Sequence, residues 1–200
     1  EGLAPAAVGD LLNARGHRVD AATAADLAER TGGNPFFIEA VADQGGDLLP
    51  LDPRAVPPSV RDVLDQRVAT LDDEGTRVLT AAAVIGLRVD LELLGRVTDL
   101  PGPELLDAVD AAIGAGLLGE DEEVGWVAFP HALVRQALIA RTTRNREAHL
   151  HLTVADAIAA WPSRDGDRST VAEHLLAAGR LSPPDRTARA ALEAGRRALE

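Results

Sequence analysis

Cysteine, methionine, lysine and tyrosine are all missing from this chain of 200 residues. Without cysteine there is no disulfide framework, no thiolate metal site and no cysteine nucleophile. Without lysine all 20 basic residues are arginine, so neither a Schiff-base lysine nor a P-loop lysine can be supplied. Aromatic residues reach only 2%, which rules out a core built on large rings. Positive charge is also scarce: 20 basic against 32 acidic residues leave a net charge of −12. That balance opposes broad binding to nucleic acid or to anionic membrane. No apolar run approaches the ~20 residues that span a bilayer, and the N-terminus is not a signal peptide. The expectation is a cytoplasmic protein with no membrane partner. The missing methionine, and a helical pattern still running at Arg196-Arg197-Ala198-Leu199-Glu200, read as an excised piece of a longer protein.

Small apolar residues are plentiful. The chain is 46% hydrophobic and 26% charged, a globular mix long enough for one to two domains. Leu3, Val8, Leu11 and Leu12 mark a short amphipathic helix. Asp20 or Thr23 caps a second helix that stops at Gly32-Gly33. Asn34 then reads as an N-cap with Pro35 at the first helical position, opening a third helix to about Asp43. Together these predict a three-helix bundle over residues 1–46. The Gly-, Pro- and Asp-rich stretch around 47–56 reads as a linker. Beyond it, Ser59 and Asp62 form a plausible capping box, Asp72 or Asp73 starts the next helix, and Leu87-Arg88-Val89 is a short extended piece. Asp90 caps a helix, Leu100-Pro101-Gly102 turns, and Pro103–Ala115 is a helix burying Leu105, Leu106, Val109 and Ile113. Leu117-Leu118 and Trp126–Phe129 then pair as strands. Helix, short strand, helix, turn, helix, hairpin is the order of a winged helix, assigned to residues 57–141. Residues 142–200 read as helices, capped at Thr142 or Thr143, with two more near Thr170–Ala178 and Asp185–Glu200: the start of a TPR-like array. The fold class is therefore mainly α: a three-helix bundle, a winged helix with a small β-hairpin, then helical repeats.

In a DNA-binding winged helix the second helix of the turn enters the major groove. Here that helix carries Glu104, Asp107 and Asp110 without an arginine, and the wing carries Glu120, Asp121, Glu122 and Glu123. Carboxylates set against phosphates forfeit the counterion release that drives binding, so direct DNA readout is rejected.

The stretch Phe129-Pro130-His131-Ala132-Leu133-Val134-Arg135-Gln136-Ala137-Leu138 has apolar spacing of a helix, and Pro130 suits its start. His131 would then lie in the first turn, where free N–H groups and the helix dipole hold anions. On chemistry alone the residue either senses a bound phosphate or simply packs and caps.

Thr31-Gly32-Gly33-Asn34-Pro35-Phe36-Phe37-Ile38-Glu39, Val56-Pro57-Pro58-Ser59-Val60-Arg61 and the Phe129–Leu138 stretch resemble, in this order, the signal-transducing multidomain ATPases of bacteria. The likeness is closest to the large ATP-binding LuxR-type transcriptional regulators. The resemblance implies that an upstream P-loop ATPase core precedes a helical lid, a winged helix and a helical sensor region, with a DNA-binding effector domain downstream. It implies that the Gly-x-Pro element of the lid, here Gly33-Asn34-Pro35, approaches the adenine of ATP or ADP. It also implies that a histidine closing the winged helix, here His131, contacts the β-phosphate of ADP. A protein or small-molecule inducer would act at the helical repeats. No P-loop and no Mg²⁺-binding acidic strand are present, so this piece has no catalytic residues of its own and is expected to hold no nucleotide alone.

Other constellations carry less. His149 and His151 lie about 200° apart on a helix and cannot share an ion, so no metal site is assigned. His174 is expected at the surface. Arg135, Arg141, Arg144 and Arg146 form the one basic cluster; one of them could face phosphate or an acidic domain, although cations also simply favour helix C-termini. Four serines in loops and caps offer no nucleophile turn.

Overall fold

The computed structural model describes residues 2–42, 58–161 and 168–197. The expected linker at 47–56 lies outside the described residues, as does the Ser59 side chain of the expected capping box. Among the described residues the protein is mainly helical with one small antiparallel sheet of three strands. No described helix is long and apolar enough to cross a membrane.

Helices α1 (Pro5–Ala14), α2 (Ala21–Thr31) and α3 (Pro35–Ala42) pack on one another. Asp20 caps α2 by accepting the Thr23 N–H at 2.7 Å, and Pro35 opens α3 where a missing N–H costs nothing. Val8, Leu12, Leu27, Ile38, Val41 and Ala42 form a core of their own here. Phe37 and Ala40, on the other face of α3, belong instead to the large core of the remaining helices. A single short helix thus serves two apolar clusters.

That large core is framed by α4 (Pro58–Val68), α5 (Asp73–Ile85), α6 (Leu91–Thr98), α7 (Gly102–Gly114) and α8 (Ala132–Arg141). Asp72 caps α5 through the Gly75 N–H at 2.7 Å. Asp90 caps α6 through the N–H groups of Glu92 and Leu93. Between them runs β1 (Arg88–Asp90), and after α7 come β2 (Gly119–Glu120) and β3 (Trp126–Ala128). The strand order is β1-β3-β2, with Val89 opposite Val127 and Gly119 opposite Ala128. Two expectations are corrected. Leu117 and Leu118 are not strand residues: both N–H groups turn back to the Ala112 carbonyl and both side chains are buried. Leu106 is half-exposed, because α7 turns Leu105, Ala108, Val109 and Ala112 inward and position 106 falls off that face.

The wing is held by charge. Arg88 donates to both Asp121 oxygens at 2.8 Å and to Glu123 at 2.7 Å, while stacking 4.1 Å from the Trp126 ring centre. The Arg88 hydrogen bond, followed by the Glu123 N–H, lowers the Asp121 carboxyl to about 2. A depressed carboxyl contributes stability above its unfolded value of 3.8 and loses it as pH falls through about 2. At about pH 3 the Asp121 carboxyl carbon is expected to keep its ionised NMR shift; Arg88→Gln should return its midpoint toward the ordinary value.

Helices α9 (Arg144–Ala159), α10 (Arg168–Ala178) and α11 (Pro184–Arg197) pack neighbour on neighbour, with a short 3₁₀ turn at Gly179–Leu181. Thr143 caps α9 through the Arg146 N–H. Val154 and Ile158 of α9 join the same core as α5–α8, so this helix is common to the sheet-bearing part and the helical stack.

Candidate functional site

The turn between α2 and α3 is made by two glycines with left-handed backbone, Gly32 at φ 59° and Gly33 at φ 67°. Only glycine adopts this pair of conformations without steric cost. The turn closes α2: the Gly33 N–H reaches the Ala28 carbonyl at 2.8 Å and the Asn34 N–H reaches Thr31 at 3.2 Å. Asn34 passes its own carbonyl to Ile38, committing α3 to start at Pro35. The Gly33 carbonyl accepts the Leu3 N–H at 2.7 Å, tying the first residues of the chain over the turn.

His131 meets this turn from the far end of the sheet-bearing part. Its place is corrected: it is the N-cap of α8, at φ −148° and ψ 140°, and not a first-turn residue. The reason lies in Phe129, whose N–H donates to the Leu87 carbonyl at 2.8 Å. That bond keeps the chain extended past β3, so the helix begins two residues after Pro130. In this conformation the imidazole leans onto α2 and α3. A methyl group on Gly32 would lie 2.6 Å from the His131 Cε1 and closer still to Nδ1. The Phe37 ring meets the imidazole edge-on, with centres 5.5 Å apart. Burial pushes the His131 pKa below its ordinary value, so the ring is neutral at pH 7. A neutral ring has one N–H donor and one acceptor nitrogen.

Among the described residues, the buried polar side-chain atoms without a hydrogen-bond partner are Asp26 Oδ2, Arg30 Nε and His131 Nδ1. Two belong to α2 and the third to the residue packed on the turn after α2. The Arg30 guanidinium spans the seam by donating to Gln136 of α8 at 3.3 Å, and reaches Asp26 only at 3.8 Å. Buried unpaired polar atoms are costly, on the order of 1–3 kcal/mol each. Their concentration here marks a contact that is close yet polar and incompletely satisfied.

Of the residues singled out in sequence, Gly33 is buried under Leu3, Asn34 is half-buried and Pro35 is exposed at the start of α3. His131 joins this group through Gly32 and Phe37. Neither of those two partners carries a sequence signal for such a contact beyond its place in the Thr31–Glu39 stretch.

The other titratable groups sort differently from expectation. His174 is buried at 5% exposure, not at the surface. Its Nδ1 lies 2.7 Å from His151 Nδ1, joining α10 to α9. Burial, then His151, then Arg135 push the His174 pKa down to about 4. Arg135 itself is half-buried and donates to the Ala83 carbonyl at 2.7 Å, so it braces α8 on α5. Among the described residues no group of three or more histidines, aspartates or glutamates is placed to hold a metal ion. The side chains of Glu104, Asp107, Asp110, Glu120 and Glu122 are exposed. An acidic cleft of about 400 Å³ lies beside α7, lined by Asp72, Glu74, Glu104 and Asp107. No protein-family model matches this chain, and no curated protein is significantly similar to it.

Proposed function

We propose that this chain is the regulatory part of a nucleotide-switched signal-transduction ATPase of the large LuxR type. In this reading α1–α3 are the lid and α4–α8 with the sheet are the winged helix. The observation that carries it is the seam: the imidazole of His131 rests on the Gly32-Gly33 turn, next to Gly33-Asn34-Pro35, with a buried and unpaired Nδ1. Two elements that meet this closely can face one ligand, with Pro35 toward the base and His131 toward phosphate. A neutral imidazole donates one N–H to a phosphate oxygen, and the anion would draw the ring's pKa back up. Exchange of ADP for ATP would change what His131 touches and free the α2–α8 contact. Two buried atoms there without a hydrogen-bond partner, Arg30 Nε and His131 Nδ1, make its separation inexpensive.

ATP or ADP would be held chiefly by an upstream core of the same parent, which would also do any hydrolysis. This chain has no P-loop to do so. Its partners would be that core, a downstream effector domain and an inducer, protein or small molecule, at the helical stack. The setting would be cytoplasmic. Direct DNA binding is not expected, because the exposed faces of α7 and the wing are carboxylates; a mobility shift at low salt that shows tight binding would overturn this.

The test is calorimetry with ADP on the parent protein, core included. His131→Ala is expected to weaken ADP about tenfold or more, the worth of a hydrogen bond to a charged group. Unchanged affinity would remove the sensor role. That result would favour the second reading, an interaction scaffold without nucleotide coupling, which the edge-on Phe37 contact also suits: an imidazole wedged between a phenyl ring and a glycine is well placed simply to pack.

A further inference from the structure

A cleft of about 440 Å³ separates α5 from the α8–α9 junction, and three guanidiniums, Arg77, Arg141 and Arg146, line it against one carboxylate, Asp73. In a chain of net charge −12 this is a local reversal of sign. The three are unequally neutralised. Arg141 is paired with Asp65. Arg77 reaches Glu74 only at 3.7 Å. Among the described residues the Arg146 guanidinium is in no ion pair. The start of α9 is here too, with Thr143 of its N-cap on the wall, adding the positive end of a 16-residue helix whose first turn also carries Glu147. Arg77, Thr80 and Arg146 also border a second recess of about 140 Å³, whose remaining walls include Ala81, Val97 and Leu150. The polar mouth therefore continues into a mostly apolar recess between α5, α6 and α9.

We propose that these joined cavities bind a small organic anion, with a carboxylate or phosphate head on Arg77 and Arg146 and a short apolar tail in the Ala81–Val97–Leu150 recess. An inorganic anion would match the guanidiniums and leave the recess unfilled. A neutral apolar molecule would fill the recess and leave the guanidiniums unmatched. An acidic peptide would bring backbone amides to apolar walls, where unpaired amides are costly. The site sits where α9 packs on α5 and α6, the junction between the sheet-bearing part and the helical stack, so its occupant touches both. It shares no residue with the His131 seam and does not depend on the nucleotide reading.

Hexanoate, inorganic phosphate and 1-hexanol titrated into the 200-residue chain, followed by NMR, test this. Hexanoate should bind saturably, at least about tenfold more tightly than either comparator, and Arg146→Gln should weaken it about tenfold by removing a charge-assisted hydrogen bond. His131→Ala should leave hexanoate binding unchanged. Should Arg146→Gln fail to fold, Arg77→Gln on the opposite wall carries the same expectation. No saturation by ~10 mM hexanoate, equal binding of hexanol, or undiminished binding in the arginine variants would each overturn the proposal. So would tight binding of polyglutamate with none of hexanoate, which would make the cleft a docking surface for acidic protein.

Discussion

Gly33→Ala is expected to lower the unfolding free energy by about 3 kcal/mol or more, a loss reserved for substitutions with a definite steric cause. Two terms add. The left-handed backbone at φ 67° costs any L-residue roughly 1–2 kcal/mol. The new methyl group would also overlap the backbone oxygen and nitrogen of Leu3, which cannot swing aside as a side chain can. Relief requires moving the first residues off the turn, which breaks the Leu3 N–H bond to the Gly33 carbonyl. Urea unfolding of the two proteins measures the difference; a change within about 1 kcal/mol, as for an ordinary surface substitution, would contradict the geometry.

Gly32 offers a graded companion. There the methyl group meets the His131 ring, which can rotate, so the loss should be smaller. Combining Gly32→Ala with His131→Ala should recover part of it, since the overlap disappears with the ring. The two substitutions should therefore be non-additive. That coupling would be direct evidence for the seam in solution, independent of any nucleotide.

Acidification should destabilise the protein between pH 6.5 and about 4 through His174. Burial, the neighbouring His151 and Arg135 all disfavour its charged form. The folded ring therefore titrates at about 4 while the unfolded ring titrates near 6.5. Across that interval the unfolded chain binds the extra proton, so stability rises with pH. Stability is complete above 6.5 and has lost the His174 contribution once pH falls below about 4. The gap corresponds to about 3 kcal/mol. His151 titrates in the same direction, with burial first and Glu147 partly opposing it, and mutual repulsion should make the close pair take up its protons in two separate steps that belong to the pair. Thermal unfolding followed by circular dichroism at stepped pH should show the midpoint falling below pH 6.5. In His174→Leu that slope should be much reduced. An equal slope in the variant would assign the acid sensitivity elsewhere. The wing pair Arg88–Asp121 acts only at lower pH, so the two effects separate.

Much of the architecture was legible from local signals. Asp90 was readable as a cap, and Asp20, Asp72 and Thr143 each as one of two candidates, because the accepting side chain and its N–H lie two or three residues apart. Gly32-Gly33-Asn34-Pro35 announced one helix end and the next start for the same reason. The acidic character of α7 and the wing needed only composition and element order. Less legible were contacts between distant elements. The α2–α8 seam joins Arg30 to Gln136, 106 residues apart, and His151 finds His174 across 23. Nothing in the neighbourhood of His174 distinguishes a buried imidazole from a solvated one. Likewise the third strand was visible only as an extended piece, because its hydrogen bonds are made to β3 almost forty residues on.

Sequence alone narrowed each cap to one or two residues and determined the glycine turn, the helical periodicity, the sign of the surface and the absence of lysine and cysteine chemistry. These depend on short-range backbone hydrogen bonding or on counting. Only the tertiary structure decided which imidazoles are desolvated, that Gly32 needs to be glycine because His131 lies against it, and that three arginines from separate helices share one cleft. Those properties arise from proximity through space, and proximity follows from how apolar faces pack, which no local pattern in the chain specifies.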